Sequence, residues 1–93
     1  SNMAVGKAIA YPGYFLKRGM ENDDVRLIQI YLNEISKTDP QIPSIPITGF
    51  FGNQTVNAVK ALQAKYGITQ SGNIGPLTWR KIADLYNECH GYT

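Results

Sequence analysis

Thr48-Gly49-Phe50-Phe51-Gly52-Asn53-Gln54-Thr55-Val56-Asn57-Ala58-Val59 returns, 23 residues later, as Ser71-Gly72-Asn73-Ile74-Gly75-Pro76-Leu77-Thr78-Trp79-Arg80-Lys81-Ile82. The two stretches align without a gap. Each has a small hydroxyl residue, a glycine, an apolar residue between two glycines, then a threonine three positions on. Pro76 fixes the register, because proline is favoured at the first position of a helix. Gly75 is then the N-cap of one helix and, by the repeat, Gly52 the N-cap of another. Glycine offers no side-chain acceptor to first-turn amides, so those donors need another partner. Gly49 and Gly72 are expected to permit a tight turn. Phe51 and Ile74 are expected to plug the core, and the threonine hydroxyls to bond back to local backbone.

Working outward, the segment after Gly52 reads as a helix over about 53–66, with Val59, Leu62 and Tyr66 along one stripe. Gly67 follows at the place of a left-handed C-terminal cap. The segment after Gly75 reads as a helix over 76–88, with Trp79, Ile82, Leu85 and Tyr86 facing inward. A further helix is expected over about 22–35, where Val25, Ile28, Leu32 and Ile35 share a face. Glu21 or Asn22 would cap it, and Asp23 and Asp24 complement its dipole. Leu27, Ile30 and Tyr31 lie off that stripe. Either two neighbouring segments pack on this helix, or part of its second face is an interaction surface.

Val25-x-x-Ile28-Gln29 matches Val59-x-x-Leu62-Gln63. The chain thus reads as variants of one turn-helix unit, each too short to be stable alone. Pro40, Pro43 and Pro46 exclude a helix between the first two, and Ile42, Ile45 and Ile47 should tuck that loop onto the core. Tyr11-Pro12-Gly13 signals a turn, after which Tyr14-Phe15-Leu16 supplies an apolar anchor. The expected fold is all-α: a small three-helix orthogonal bundle with glycine-rich turns. Residues 1–10 are expected to form a loose arm beginning with a tag scar at Ser1-Asn2. Residues 11–88 form the module, and residues 89–93 a tail.

Ninety-three residues support one domain. A net charge of +2, with no basic run beyond Lys17-Arg18 and Arg80-Lys81, argues against nucleic acid. No stretch is long and apolar enough to span a membrane. Cys89 stands alone, so no intrachain disulfide can form. His90 is the only histidine, and its adjacency to Cys89 is not a catalytic dyad signature. No His/Asp/Glu set has metal-ligand spacing, so neither catalysis nor a cofactor is expected.

These residues resemble the peptidoglycan-binding domain family, the three-helix module often called peptidoglycan-binding domain 1. Leu16, Gly19, Val25, Ile28, Gln29 and Leu32 match its first block. Gly49, Phe51, Gly52, Thr55, Ala58, Val59, Leu62, Gln63, Gly67 and Ile68 match the second, and Gly72, Ile74, Gly75, Thr78 and Trp79 the third. The match covers about residues 11–86. Thr48 and Ser71 replace the family's aspartates but can still bond to local backbone.

The resemblance implies a monomeric, non-catalytic module, cell-wall associated or extracellular. It would hold an attached cell-wall hydrolase against peptidoglycan, contacting glycan strands and stem peptides. Exposure and chemistry nominate Tyr14, Arg26, Tyr31, Phe50, Asn53, Gln54 and Asn73 as ligand contacts. Arg26 would pair with a stem-peptide carboxylate, or is simply a solvated helix charge. The alternative is a protein-interaction or autoinhibitory domain. The same fold is similar to the helical propeptide of matrix metalloproteinases, although Glu88-Cys89-His90-Gly91 lacks the Pro-Arg of that propeptide's cysteine switch.

Overall fold

The computed structural model describes residues 6–92. Three helices form among them: α1 (Asp23–Ser36), α2 (Asn53–Lys65) and α3 (Pro76–Cys89). No strand forms among the described residues. Two isolated antiparallel bridges, Leu16 with Ile74 and Glu21 with Phe50, instead tie the segment before α1 to both glycine turns.

Each helix starts where the sequence places it. Asn22 caps α1, its Oδ1 accepting the Val25 amide at 2.9 Å. Gly52 and Gly75 sit at the N-caps of α2 and α3 with no side-chain cap. Gly67 ends the α2 unit at φ +69°, and the Ile68 amide returns to the Gln63 carbonyl at 2.8 Å. That pattern is a left-handed C-terminal cap.

The core is Leu16, Val25, Ile28, Leu32, Phe51, Val59, Leu62, Ile74, Ile82 and Tyr86, all completely buried. Phe51 and Ile74 plug it from the two glycine turns, as expected. The second face of α1 is covered too. Leu27 and Tyr31 are buried, with Trp79 and Tyr86 of α3 packed edge-on or tilted against the Tyr31 ring. The packing account therefore holds for Leu27 and Tyr31, while Ile30 on the same face is only half-buried. In the proline loop Ile42 and Ile45 are buried, but Ile47 is exposed, because the chain there already turns toward Gly49. Phe15 is likewise exposed, so of Tyr14-Phe15-Leu16 only Leu16 is buried, while Tyr11 and Met20 pack on the core from either side.

Two buried glutamines organise the turns. Gln29 Oε1 accepts the amides of Thr48 and Gly49 at 2.9 and 2.8 Å. Its Nε2 donates to the Phe50 carbonyl at 2.9 Å and the Thr55 hydroxyl at 3.1 Å. Gln63 repeats this on the second turn: its Oε1 accepts the Gly72 amide at 3.0 Å, and its Nε2 donates to the Asn73 carbonyl and the Thr78 hydroxyl at 3.0 and 3.1 Å. The threonine hydroxyls thus receive glutamine amides from the preceding helix, rather than serving only their own backbone as expected. Thr48 and Ser71 close the turns locally, accepting the amides of Phe50 and Asn73. Asn33 holds the proline loop in the same manner, bonding both the amide and the carbonyl of Ile45.

The arm is not loose over its described part. Residues 6–9 bond to Tyr92, Asn87, Tyr31 and Trp79. Residues 1–5 of the expected arm lie outside the described residues.

Leucine at Gln29 should strand two amides and at Gln63 one, each stranded donor costing about 1–3 kcal/mol. Urea unfolding should therefore rank Gln29→Leu below Gln63→Leu, and both below the parent chain. A Cβ on Gly72, at φ +77°, would lie 2.9 Å from Val56 Cγ1, whereas Gly67 faces open space. Gly72→Ala should cost about 2–4 kcal/mol and Gly67→Ala about 1 kcal/mol in the same assay.

The Lys37 ammonium beside Glu34 and the Lys65 ammonium beside Asp39 hold both carboxyls below their ordinary values. A lowered carboxyl stabilises the fold fully above its unfolded value and loses that contribution as pH falls through the folded one. Acid titration by circular dichroism should show the loss below about pH 4. Asp39→Asn should flatten that limb at low salt.

Candidate functional site

The clamp of Gln29 on the first turn leaves a concavity at the start of α2. It measures about 300 Å³ and is lined by Gln29, Pro46, Thr48, Phe50, Gly52, Asn53, Gln54 and Thr55. Gln29 and Thr55 form its buried floor, their polar atoms spent on each other and on the turn. Phe50, 46% exposed, forms one wall. Asn53 and Gln54 stand on the rim.

No side chain caps the α2 start, so its first-turn amides point outward with the positive end of the helix dipole. Arg18 reaches the rim from the segment before α1, and its Nη1 donates to Asn53 Oδ1. No carboxylate lines the cavity. It therefore suits a ligand that carries a negative charge and amide groups beside a small apolar surface.

The bare glycine caps also make room for aromatic rings. A Cβ on Gly52 would meet the Phe50 ring at 3.4 Å. A Cβ on Gly75 would lie 2.6 Å from the Phe15 ring. Phe15 thus covers the α3 start much as Phe50 flanks the α2 start. A second concavity there includes Phe15, Gln63, Asn73, Leu77 and Thr78.

Of the nominated residues, the structure brings Phe50, Asn53 and Gln54 together. Asn73 lies in the second concavity, not with them. The Tyr14 hydroxyl donates to Asp24 at 2.5 Å, and this bond to a carboxylate raises the phenol above its ordinary value. Arg26 is half-buried and directs Nη1 to the Ile47 carbonyl at 3.4 Å. Tyr31 is a correction: it was nominated for exposure but is 1% exposed. Its ring packs on α3, its hydroxyl accepts the Ile9 amide at 3.0 Å, and burial pushes its pKa up.

Sequence reasoning missed Arg18, Thr48 and Gln29 as parts of the site. Gln29 carried a signal, since it recurs as Gln63 in the aligned helix. Arg18 carried none, because it meets Asn53 only through the fold. Among the described residues no set of His, Cys, Asp and Glu is placed to hold a metal, and no helix is long and apolar enough to cross a membrane.

Comparison with known proteins bears on this geometry. Residues 21–82 match the family described as "Putative peptidoglycan binding domain". The chain is 35% identical over 73 residues to the N-acetylmuramoyl-L-alanine amidase CwlL of Bacillus licheniformis, covering 78% of this chain and 19% of the amidase. It is 34% identical over 73 residues to the zinc D-Ala-D-Ala carboxypeptidase of Streptomyces albus G, covering 78% of this chain and 28% of that enzyme. The chain thus spans less than a third of either relative. A peptidoglycan-binding protein of Clostridioides difficile, solved in complex with glutamine hydroxamate, superposes with a TM-score of 0.67 at 34% identity, over 80% of this chain and 43% of that one. With its three helices, its paired glycine turns and a family match over most of its length, the chain belongs to the peptidoglycan-binding domain family.

Proposed function

We propose that this chain is a non-catalytic anchor that grips a peptide portion of peptidoglycan at the start of α2 and keeps an attached hydrolase beside its insoluble substrate. The observation that carries the reading is the bare α2 start, walled by Phe50, Asn53 and Gln54, with Arg18 at its rim and no carboxylate in its lining. A stem-peptide carboxylate would receive the first-turn amides and the Arg18 guanidinium. The side-chain amides of Asn53 and Gln54 would bond the peptide backbone, and Phe50 would pack on an alanine methyl or a sugar face.

The relatives that share this segment include an amidase and a carboxypeptidase, each mostly made of other sequence. That supports an anchoring role in which modest affinity raises the local concentration of a tethered catalytic domain. The place of action is then the cell wall. The lining of amides, hydroxyls and one phenyl ring supports binding rather than chemistry, since no base stands beside a nucleophile there. The propeptide-like alternative loses support, because Leu27 and Tyr31 on the second face of α1 are covered from within.

Purified sacculi should carry the domain into the pellet, while cellulose and chitin leave it in the supernatant. Arg18→Ala and Gln54→Ala should each weaken the sedimentation constant about tenfold, and Phe50→Ala about fivefold. Arg80→Ala, on the outer side of α3, should leave it unchanged. Complete recovery of the parent chain in the supernatant would overturn the wall reading. Parent-like binding by both Arg18→Ala and Gln54→Ala would move the site away from α2.

A further inference from the structure

The duplicated turn makes two concavities that share a scaffold and differ in chemistry. The second, at the start of α3, measures about 310 Å³. Its floor is Gln63 and Thr78, whose polar atoms are spent on each other and on the turn, as those of Gln29 and Thr55 are in the first. The aligned rim positions change kind: Phe50 becomes Asn73, Asn53 becomes Pro76 and Gln54 becomes Leu77. Proline has no amide hydrogen, so the first donor that α2 offers is missing from α3. The Phe15 ring lies against the N-cap, 2.6 Å from where a Cβ on Gly75 would stand. The α3 start is thus poorly furnished for an anion.

It offers an apolar platform with polar groups beside it. Phe15 and Leu77 are 55% and 66% exposed, and Pro76 is exposed with them. Large apolar side chains grouped in a concavity mark a binding surface in a way that scattered ones do not. Gly75 leaves the space that seats the Phe15 ring, so the ring is placed before any ligand arrives. Thr69 and Asn73 also line the concavity, and neither the Thr69 hydroxyl nor the Asn73 side-chain amide has a partner among the described residues. No charged residue lines it.

A neutral ligand with an apolar face and a fringe of hydroxyls or amides matches this lining. A pyranose ring is such a ligand: its C–H face packs on aromatic and aliphatic side chains, and its hydroxyls reach side-chain amides and hydroxyls. A peptide carboxylate finds no cation in the lining. The position agrees with a divided site. Phe15 and Arg18 stand three residues apart on the thread before α1, their Cα atoms at most about 11 Å apart. Phe15 lies at the α3 start and Arg18 reaches the rim of the α2 start.

We propose that the concavity of Phe15, Asn73 and Leu77 is a saccharide subsite that takes one neutral pyranose of the glycan strand, beside the peptide site at the α2 start. This rests on the peptidoglycan reading above and adds to it which part of the polymer each turn holds. When one ligand carries both parts, the second contact becomes intramolecular, so a weak sugar subsite strengthens binding only where a peptide is attached. Cellulose and chitin carry no peptide, engage this subsite alone and do not pellet the domain.

The test is isothermal titration calorimetry on the full chain with two probes from the same sacculi: stem peptides released by amidase digestion, and disaccharide-peptides released by muramidase digestion. The disaccharide-peptide should bind the parent chain roughly tenfold tighter than the free peptide, through the apolar area that Phe15 and Leu77 bury against it. Phe15→Ala should bind both probes alike, at the parent's affinity for the free peptide. Leu77→Ser, at an exposed position outside the core, should lose the same advantage and guards against a loosened fold in Phe15→Ala. Arg18→Ala should weaken both probes together and keep their ratio. Equal affinity of the parent chain for the two probes overturns the proposal, as does a ratio that survives both Phe15→Ala and Leu77→Ser. A free peptide that fails to bind, while the disaccharide-peptide binds through Phe15, supports the saccharide subsite and overturns the peptide site at α2. Failure of both probes overturns both.

Discussion

A buried glutamine that takes the place of a missing strand is the constraint on which this structure rests. Gln29 and Gln63 each project from a helix into the glycine turn that follows, and their amides pair with the turn backbone as a neighbouring strand would. Irregular backbone packed against a core must find partners for its polar groups. Among the described residues there is no sheet to offer, so side-chain amides, which carry donor and acceptor together, take that part. Asn33 does the same for the proline loop, and Asn87 supplies its acceptor to the arm. Each clamp fixes where the next helix begins. It thereby fixes Phe51 and Ile74 as plugs and the segment before α1 as the thread bridging both turns.

The same constraint shapes the site. Because Gln29 secures the turn and the Thr55 hydroxyl from inside, neither is available to cap α2 from outside. The N-cap is glycine, so an aromatic ring can lie against the helix start where a side chain would otherwise stand. A helix start with free amides is an unfavourable thing to leave uncovered in a fold and a useful thing to offer an anionic ligand. The two turns share one scaffold yet differ at the rim. Phe50, Asn53 and Gln54 flank the first with Arg18 beside them, whereas Phe15, Pro76 and Leu77 make the second more apolar.

How much of this could be read from the chain depends on the range over which each feature acts. Pro76 after Gly75, Gly67 after Tyr66 and the spacing of Val25, Ile28, Leu32 and Ile35 act within a few residues, and all three helices stand close to where those signals put them. The repeat made Phe51 and Ile74 recognisable as core. Tyr31 misled, because the pattern shows that it leaves the main stripe of α1 but not that residues 6–9 return to cover it. Phe15 misled in the opposite sense. Its neighbours Tyr14 and Leu16 suggested an anchor, yet its ring lies outside, over Gly75. Arg18 meets Asn53 across 35 positions of sequence, and no local rule links them.

The sequence by itself determined the three helices, the glycine N-caps of α2 and α3, the core stripe and, through the doubled turn, membership of a peptidoglycan-binding family. These follow from backbone preference and hydrophobic period, which operate over one or two turns of chain. Only the tertiary structure decided that Gln29 and Gln63 are clamps, that Arg18 joins the rim of the α2 start, and that the arm lies across α1 and α3. Each of those depends on side chains meeting over distances of sequence at which periodicity carries no information. Hydrogen-bond satisfaction and close packing, not propensity, choose among the possible partners there.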